Sequence, residues 1–163
     1  MFFDKEDVMG FMDSFKRFSS GGQNFDEEKI LKNIIKPNCF IRDDSTIEDC
    51  IRILRNRSVT GMPVVDKKNQ VVGFISEKDC LKFLYGAFYF NEISGEVSKY
   101  MNKNVTCINP EMDLPTILKM FTDNPFHVYP VIDSNKKYLG ILTRTDLLTE
   151  IYAIMDVMYN KAA

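Results

Sequence analysis

Two pairs of residues in this chain have the types and spacing for ligand chemistry: Thr143 with Asp146, and Ser76 with Asp79. Each pair stands just ahead of an apolar run that reads as a helix, placing a hydroxyl at the helix start and a carboxylate on its first turn. Taken singly, such a pair is first of all a capping box, in which side chains satisfy the helix's own free N–H groups. The same arrangement also suits a ligand. Free N–H groups and the positive end of the helix dipole favour a phosphate, and the hydroxyl can serve either the cap or that phosphate. An ionised Asp one turn on can accept both hydrogen bonds of a vicinal diol such as ribose. A phosphate and a diol at that separation match a nucleotide. Gly140, ahead of the Thr143 pair, would let a ligand or a neighbouring strand come close.

The elements that must position these pairs come as a repeat. Gly73-Phe74-Ile75-Ser76-Glu77-Lys78-Asp79 returns 67 residues later as Gly140-Ile141-Leu142-Thr143-Arg144-Thr145-Asp146. Pro63-Val64-Val65-Asp66 returns at the same offset as Pro130-Val131-Ile132-Asp133, and a fixed period governs how everything else is read. Each copy predicts a short buried strand, a polar turn (Lys67 to Gln70; Ser134 to Lys137), a second strand (Val71 to Ile75; Tyr138 to Leu142) and a helix (Cys80 to Phe88; Leu147 to Met158). The same offset carries Ile30 and Ile34 onto Val97 and Met101. The copies therefore begin near residue 30, without a gap. Each opens with a helix end, a strand (Cys39 to Ile41; Thr106 to Ile108) and a helix whose apolar positions are Ile47, Ile51 and Leu54 or Leu114, Leu118 and Phe121. Asp44-Ser45-Thr46 and Pro110 to Asp113 supply its start signals. Pro37 stops the helix that runs from about Asp26 to Ile35.

Outside the repeat, Lys5 to Phe18 reads as an amphipathic helix with Val8, Met9, Phe11, Met12, Phe15 and Phe18 on one face, followed by the joint Ser19-Ser20-Gly21-Gly22. The chain thus divides into residues 1–25, a first unit at 26–90 and a second at 91–163. Between the units, Tyr85 to Gly95 is rich in aromatics; it either fills the core or presents a protein contact.

With 163 residues, 45% of them hydrophobic, the chain can bury a sizeable core. Its net charge of −2 lacks the basic footprint that duplex nucleic acid demands. Cys39, Cys50, Cys80 and Cys107 are far apart, and His127 is the one histidine, so buried free thiols are expected rather than a metal site. The densest apolar run, Leu84 to Phe90, is too short to cross a bilayer. A reducing cytoplasm fits best. Triads, metal clusters and phosphate-cradling glycine loops are missing, which argues against an enzyme.

Pro-Val-x-Asp followed by Gly-apolar-apolar-Ser/Thr-x-x-Asp, twice in register, resembles the CBS domain, the module named for cystathionine β-synthase, in tandem over about residues 30 to 155. The resemblance implies an α/β (α+β) fold of two pseudo-symmetric βαββα units packed through their sheets, with two clefts between them. It also implies a sensor or regulatory role rather than catalysis, an adenosyl ligand (AMP, ADP, ATP or S-adenosylmethionine), no required cofactor, and frequent dimerisation into a disc.

Carried onto this chain, the resemblance gives the Asp146 cleft its phosphate and ribose contacts from Thr143, Thr145 and Asp146, with Ile141 against the base or sugar. Pro37, Cys39, Val59, Thr60 and Gly61 of the other unit complete it, and His127 is placed either to reach phosphate or as a structural residue. The mate cleft uses Phe74, Ser76, Lys78 and Asp79, closed by Asn104, Thr106, Phe126 and Val128; the bulk of Phe126 is expected to narrow it, so the Asp146 cleft is the better site. Arg144, a cation at a helix start, reads as facing either an anionic partner or solvent. The aromatic run Leu84 to Phe90, the Met-rich helix Leu147 to Met158 and the N-terminal helix offer more apolar surface than one small module needs. That surplus predicts a homodimer with these helices near the interface and leaves room for a protein partner. The competing expectation is a dimerisation module whose clefts are vestigial.

Overall fold

The computed structural model describes residues 27–90 and 95–161; the expected helix over Lys5 to Phe18 and the joint after it lie outside the described residues. In chain order the elements are α1 (Glu27–Ile34), β1 (Ile41–Arg42), α2 (Ile47–Arg57), β2 (Gly61–Val65), β3 (Val71–Ser76), α3 (Glu77–Phe90), α4 (Val97–Tyr100), α5 (Leu114–Asp123), β4 (Val128–Ile132), β5 (Tyr138–Thr143) and α6 (Arg144–Lys161). This is the mixed helix-and-strand architecture that the repeat predicts.

The hairpins of the two units keep the 67-residue offset pair by pair. In β2–β3, Gly61 faces Ser76 and Pro63 faces Phe74; in β4–β5, Val128 faces Thr143 and Pro130 faces Ile141. Their turns match as well: Asn69 and Lys136 both adopt φ 62°, a left-handed conformation that Asn accepts more readily than most residues. The middle helices start where expected. Thr46 accepts from the Asp49 N–H at 3.2 Å, and Asp113 from the Thr116 N–H at 2.7 Å, each satisfying a free donor of the first turn.

The units differ at three places. The strand expected at Cys39 to Ile41 forms at Ile41–Arg42, parallel to β2. Its counterpart at Thr106 to Ile108 reduces to one parallel bridge between Ile108 and Val131. The first strand is extended by the Asp43 N–H, which donates to the Val65 carbonyl at 3.2 Å. Pro110 stands in that place in the second unit and has no N–H to give.

A second difference is the end of the middle helix. α2 closes on Ser58 at φ 52°, a left-handed end. Pro125, 67 residues later, is held near φ −65° and cannot take that conformation; α5 instead stops at Asn124, which is extended as residues before proline prefer.

The third concerns the gapless offset, which fails ahead of β1. Lys36 pairs with Ile141, but the residue that pairs with Phe74 is Asn102, not Lys103. One extra residue therefore lies between Asn102 and Ile108.

Two cores form. Ile47, Cys50, Leu54, Met62, Val64, Ile75, Cys80 and Phe83 build the first, and Ile108, Leu114, Ile117, Phe121, Tyr129, Val131, Leu142 and Leu147 the second. Cys50 and Cys80 touch thiol to thiol at 3.7 Å, and all four cysteines are free. The cores exchange helices. Leu31 of α1 is buried in the second core, whereas Val97 of α4 is buried in the first, together with Val128, Tyr138 and Ile141.

Candidate functional site

At the head of α6, Thr143 and Asp146 bond reciprocally: the hydroxyl donates to Oδ2 at 2.6 Å, and the Asp146 N–H donates to Oγ1 at 3.1 Å. Ser76 and Asp79 repeat this at the head of α3, at 2.6 Å and 3.3 Å, and the Ser76 N–H adds a bond to the carboxylate at 3.1 Å. Both pairs thus form the cap that the spacing predicts. Each carboxylate keeps further accepting capacity, since two oxygens offer about four lone-pair sites.

What fills that capacity differs. On Asp146 it is Lys36, whose Nζ lies 2.9 Å from Oδ1 and 2.7 Å from Oδ2. On Asp79 it is Lys82, from the next turn of the same helix, at 3.0 Å. Burial raises the Asp79 carboxyl, but the Ser76 hydroxyl, Lys82 and the Ser76 N–H outweigh it and hold the group below its ordinary pKa.

No motif or repeat position in the sequence singles out Lys36. It arrives because the backbone before β1 runs against β5, with Lys36 and Ile141 exchanging two hydrogen bonds of 2.9 and 3.0 Å. Gly140 permits the approach: a Cβ there would stand 2.8 Å from the Lys36 carbonyl oxygen. Nearby, the Tyr138 hydroxyl donates to the Cys39 carbonyl at 2.8 Å. Burial pushes the Cys39 thiol up in pKa, and the neighbouring cations Arg57 and Lys36 offset part of that rise.

The other candidate residues distribute as follows. Pro37 is exposed beside Lys36, Cys39 is buried and its carbonyl is occupied by Tyr138, and Ile141 has no exposed surface. Thr145 is exposed, and its carbonyl accepts from Thr149 at 2.8 Å. Val59 packs on the first core; the Thr60 carbonyl takes the Glu77 N–H at 3.0 Å, and a Cβ on Gly61 would run into the Phe74 ring, so the direct ties of these residues run to the Ser76 end. His127 is exposed, and its carbonyl accepts the Arg144 N–H at 2.9 Å, which puts it and Val128 beside the head of α6. At the mate cleft, Lys78, Asn104 and Thr106 are exposed, Phe74 bonds backbone to backbone with Asn102, and Phe126 stacks edge-on against Tyr129 at 5.8 Å.

Arg144 faces neither an anion nor open solvent. Its Nη2 donates to the carbonyls of Phe121, Asn124 and Phe126 at 3.0, 3.1 and 2.9 Å. It thereby serves the last turn of α5, where free carbonyls and the negative dipole end favour a cation. The need for it traces to Pro125.

In the aromatic run, Leu84, Tyr85, Phe88 and Tyr89 are exposed rather than core-filling, and residues 91–94 lie outside the described residues. Leu81, Tyr85 and Phe88 are 64%, 64% and 88% accessible on α3, and Leu148 and Tyr152 are 67% and 68% accessible at the matching turns of α6. Among the described residues, no helix is long and apolar enough to cross a membrane, and no cluster of three metal-ligating side chains forms.

A family model described as CBS domain matches residues 31–86 and again 97–153. An uncharacterized 17.7 kDa protein of Acidianus ambivalens is 28% identical over 130 residues, covering 80% of this chain and 73% of that one. Among solved structures, CBSX2 in complex with AMP superposes with a TM-score of 0.64 at 23% identity over 76% of this chain and 96% of its own; the protein is from Arabidopsis thaliana. A CBS domain pair in complex with 5-methylthioadenosine and S-adenosyl-L-methionine gives 0.61 at 22% identity, over 75% and 94% of the two chains. At these identities the solved structures establish the fold.

Proposed function

The chain belongs to the CBS domain family, and from that premise we propose that it is a regulatory module that binds an adenosine-containing ligand (AMP, ADP, ATP or S-adenosylmethionine) in the Asp146 cleft between its units, and that it does not catalyse. The observation that carries this reading is the Thr143–Asp146 pair at the head of α6, with the backbone of the other unit bonded alongside at Lys36. The carboxylate supplies acceptors for a ribose, and the helix start supplies donors for a phosphate. The adenosyl compounds held by the two CBS-pair relatives support the ligand class. The four free thiols suit a reducing cytoplasm.

A thermal-shift screen of these four compounds tests the reading. At about 100 times its dissociation constant, a ligand adds about 2.7 kcal/mol of stability, a rise of roughly 5–10 °C for a chain of this size. Asp146→Asn should weaken binding at least tenfold, because hydrogen bonds to a charged acceptor contribute about 1.5–3 kcal/mol and 1.4 kcal/mol is tenfold. Asp79→Asn should do less. No shift with any of the four compounds would refute ligand binding.

The exposed stripes favour a second reading, in which the module also, or solely, dimerises. Leu81 and Tyr85 on α3 correspond to Leu148 and Tyr152 on α6, so a second copy could cover both stripes about one axis. Sedimentation at roughly tens of micromolar, where modest interfaces already associate, should show a homodimer. A clean monomer would leave the stripes to a different protein.

A further inference from the structure

The Asp146 carboxylate that a ribose needs is already in use. Lys36 spans both of its oxygens at 2.9 and 2.7 Å, and Thr143 takes another site on Oδ2. A diol donates two hydrogen bonds, so it competes with the ammonium for the same lone pairs. The ammonium can yield: the Lys36 side chain is 55% accessible, and an ion pair so exposed is weakly held. Its backbone cannot follow, since two bonds to Ile141 pin it to β5. A displaced Lys36 therefore stays at the cleft as a cation that has lost its counter-ion. The mate cleft is built otherwise, with Lys82 on the same helix as Asp79 and the acidic Glu77 beside it.

Resting on the adenosyl reading above, we propose that Lys36 sets ligand charge in the Asp146 cleft: the ribose displaces it from Asp146, and the freed ammonium pairs with an anion that the ligand itself must bring. The site thus selects phosphorylated adenosine over adenosine, and both over the sulfonium cation of S-adenosylmethionine.

Calorimetric titration of the wild type, Lys36→Met and Lys36→Arg with AMP, adenosine and S-adenosylmethionine tests this. The wild type should prefer AMP to adenosine by at least tenfold. That ratio should collapse in Lys36→Met and persist in Lys36→Arg, which keeps the charge and shows that the position tolerates change. A wild-type ratio near one, a ratio that survives in Lys36→Met, or tighter binding of S-adenosylmethionine than of AMP overturns the role of Lys36 while leaving an adenosyl site in place. Absence of heat with all three compounds in the wild type overturns the site itself.

Discussion

Asp146 and Asp79 occupy one position in two copies of the same unit, yet their lysines come from different places. Lys82 reaches Asp79 from one turn along the same helix; Lys36 reaches Asp146 from 110 residues away, in the other unit. The first pair is a local device that any isolated helix could carry. The second exists only when both units are folded together. The heads of the two helices diverge as well: Glu77 is a residue on an exposed first turn, whereas Arg144 in the same place holds the end of α5. The two units thus carry the same cap at the head of their last helix, and only at Asp146 does the paired lysine come from the other unit.

The largest effect that would break this comparison lies at the heads of the helices. Arg144→Met removes the donor from three carbonyls. With charged hydrogen bonds contributing about 1.5–3 kcal/mol and the part-buried Phe121 carbonyl left unpaired, the loss should be about 3 kcal/mol, or a fall of roughly 6–12 °C in melting temperature. Glu77→Ala in the other unit gives up little beyond a favourable charge at a helix start, about 0.3–1 kcal/mol. Equal losses in the two variants would mean that Arg144 does not compensate for Pro125.

A smaller effect sharpens the comparison at the glycines. In Gly140→Ala the new methyl meets backbone, the Lys36 carbonyl oxygen at 2.8 Å, besides the Ile35 side chain. The strands must part, and overpacking of this kind costs about 1–3 kcal/mol. In Gly73→Ala the methyl meets the Met101 thioether, a flexible chain that can turn aside, so the cost should stay below about 1 kcal/mol. Urea unfolding of the two variants measures both. If Gly73→Ala is the more costly, the closer backbone approach does not belong to the Asp146 cleft.

The parts of this molecule that were legible in the sequence share a property: their partners are near in the chain, or repeat at a fixed period. Thr143 with Asp146 and Ser76 with Asp79 are three apart, and the β2–β3 and β4–β5 hairpins follow from Val-Val and Val-Ile runs around a polar turn. Lys36 was not legible. Its partner is distant, and the extra residue after Asn102 slipped the alignment, so that the 67-residue offset pointed to Lys103 instead. Arg144 was misread because its partners are carbonyl oxygens, which leave no side-chain signature. The trace it does leave is indirect: a proline where the first unit has the left-handed Ser58. The second-unit strand was lost for a similar reason, since Pro110 removes one N–H that no pattern of apolar residues reports.

The exchange of helices between the cores gives the duplication a further meaning. Leu31 stands at the start of the first copy but is buried by the second, and Val97 opens the second but is buried by the first. The length of chain that was inherited twice is therefore not the length that folds. Severed at the linker, either half would carry away a plug that fits the other's hole and keep a hole of its own. A chain built this way cannot shed one copy as surplus, because each core is completed by a residue of the other.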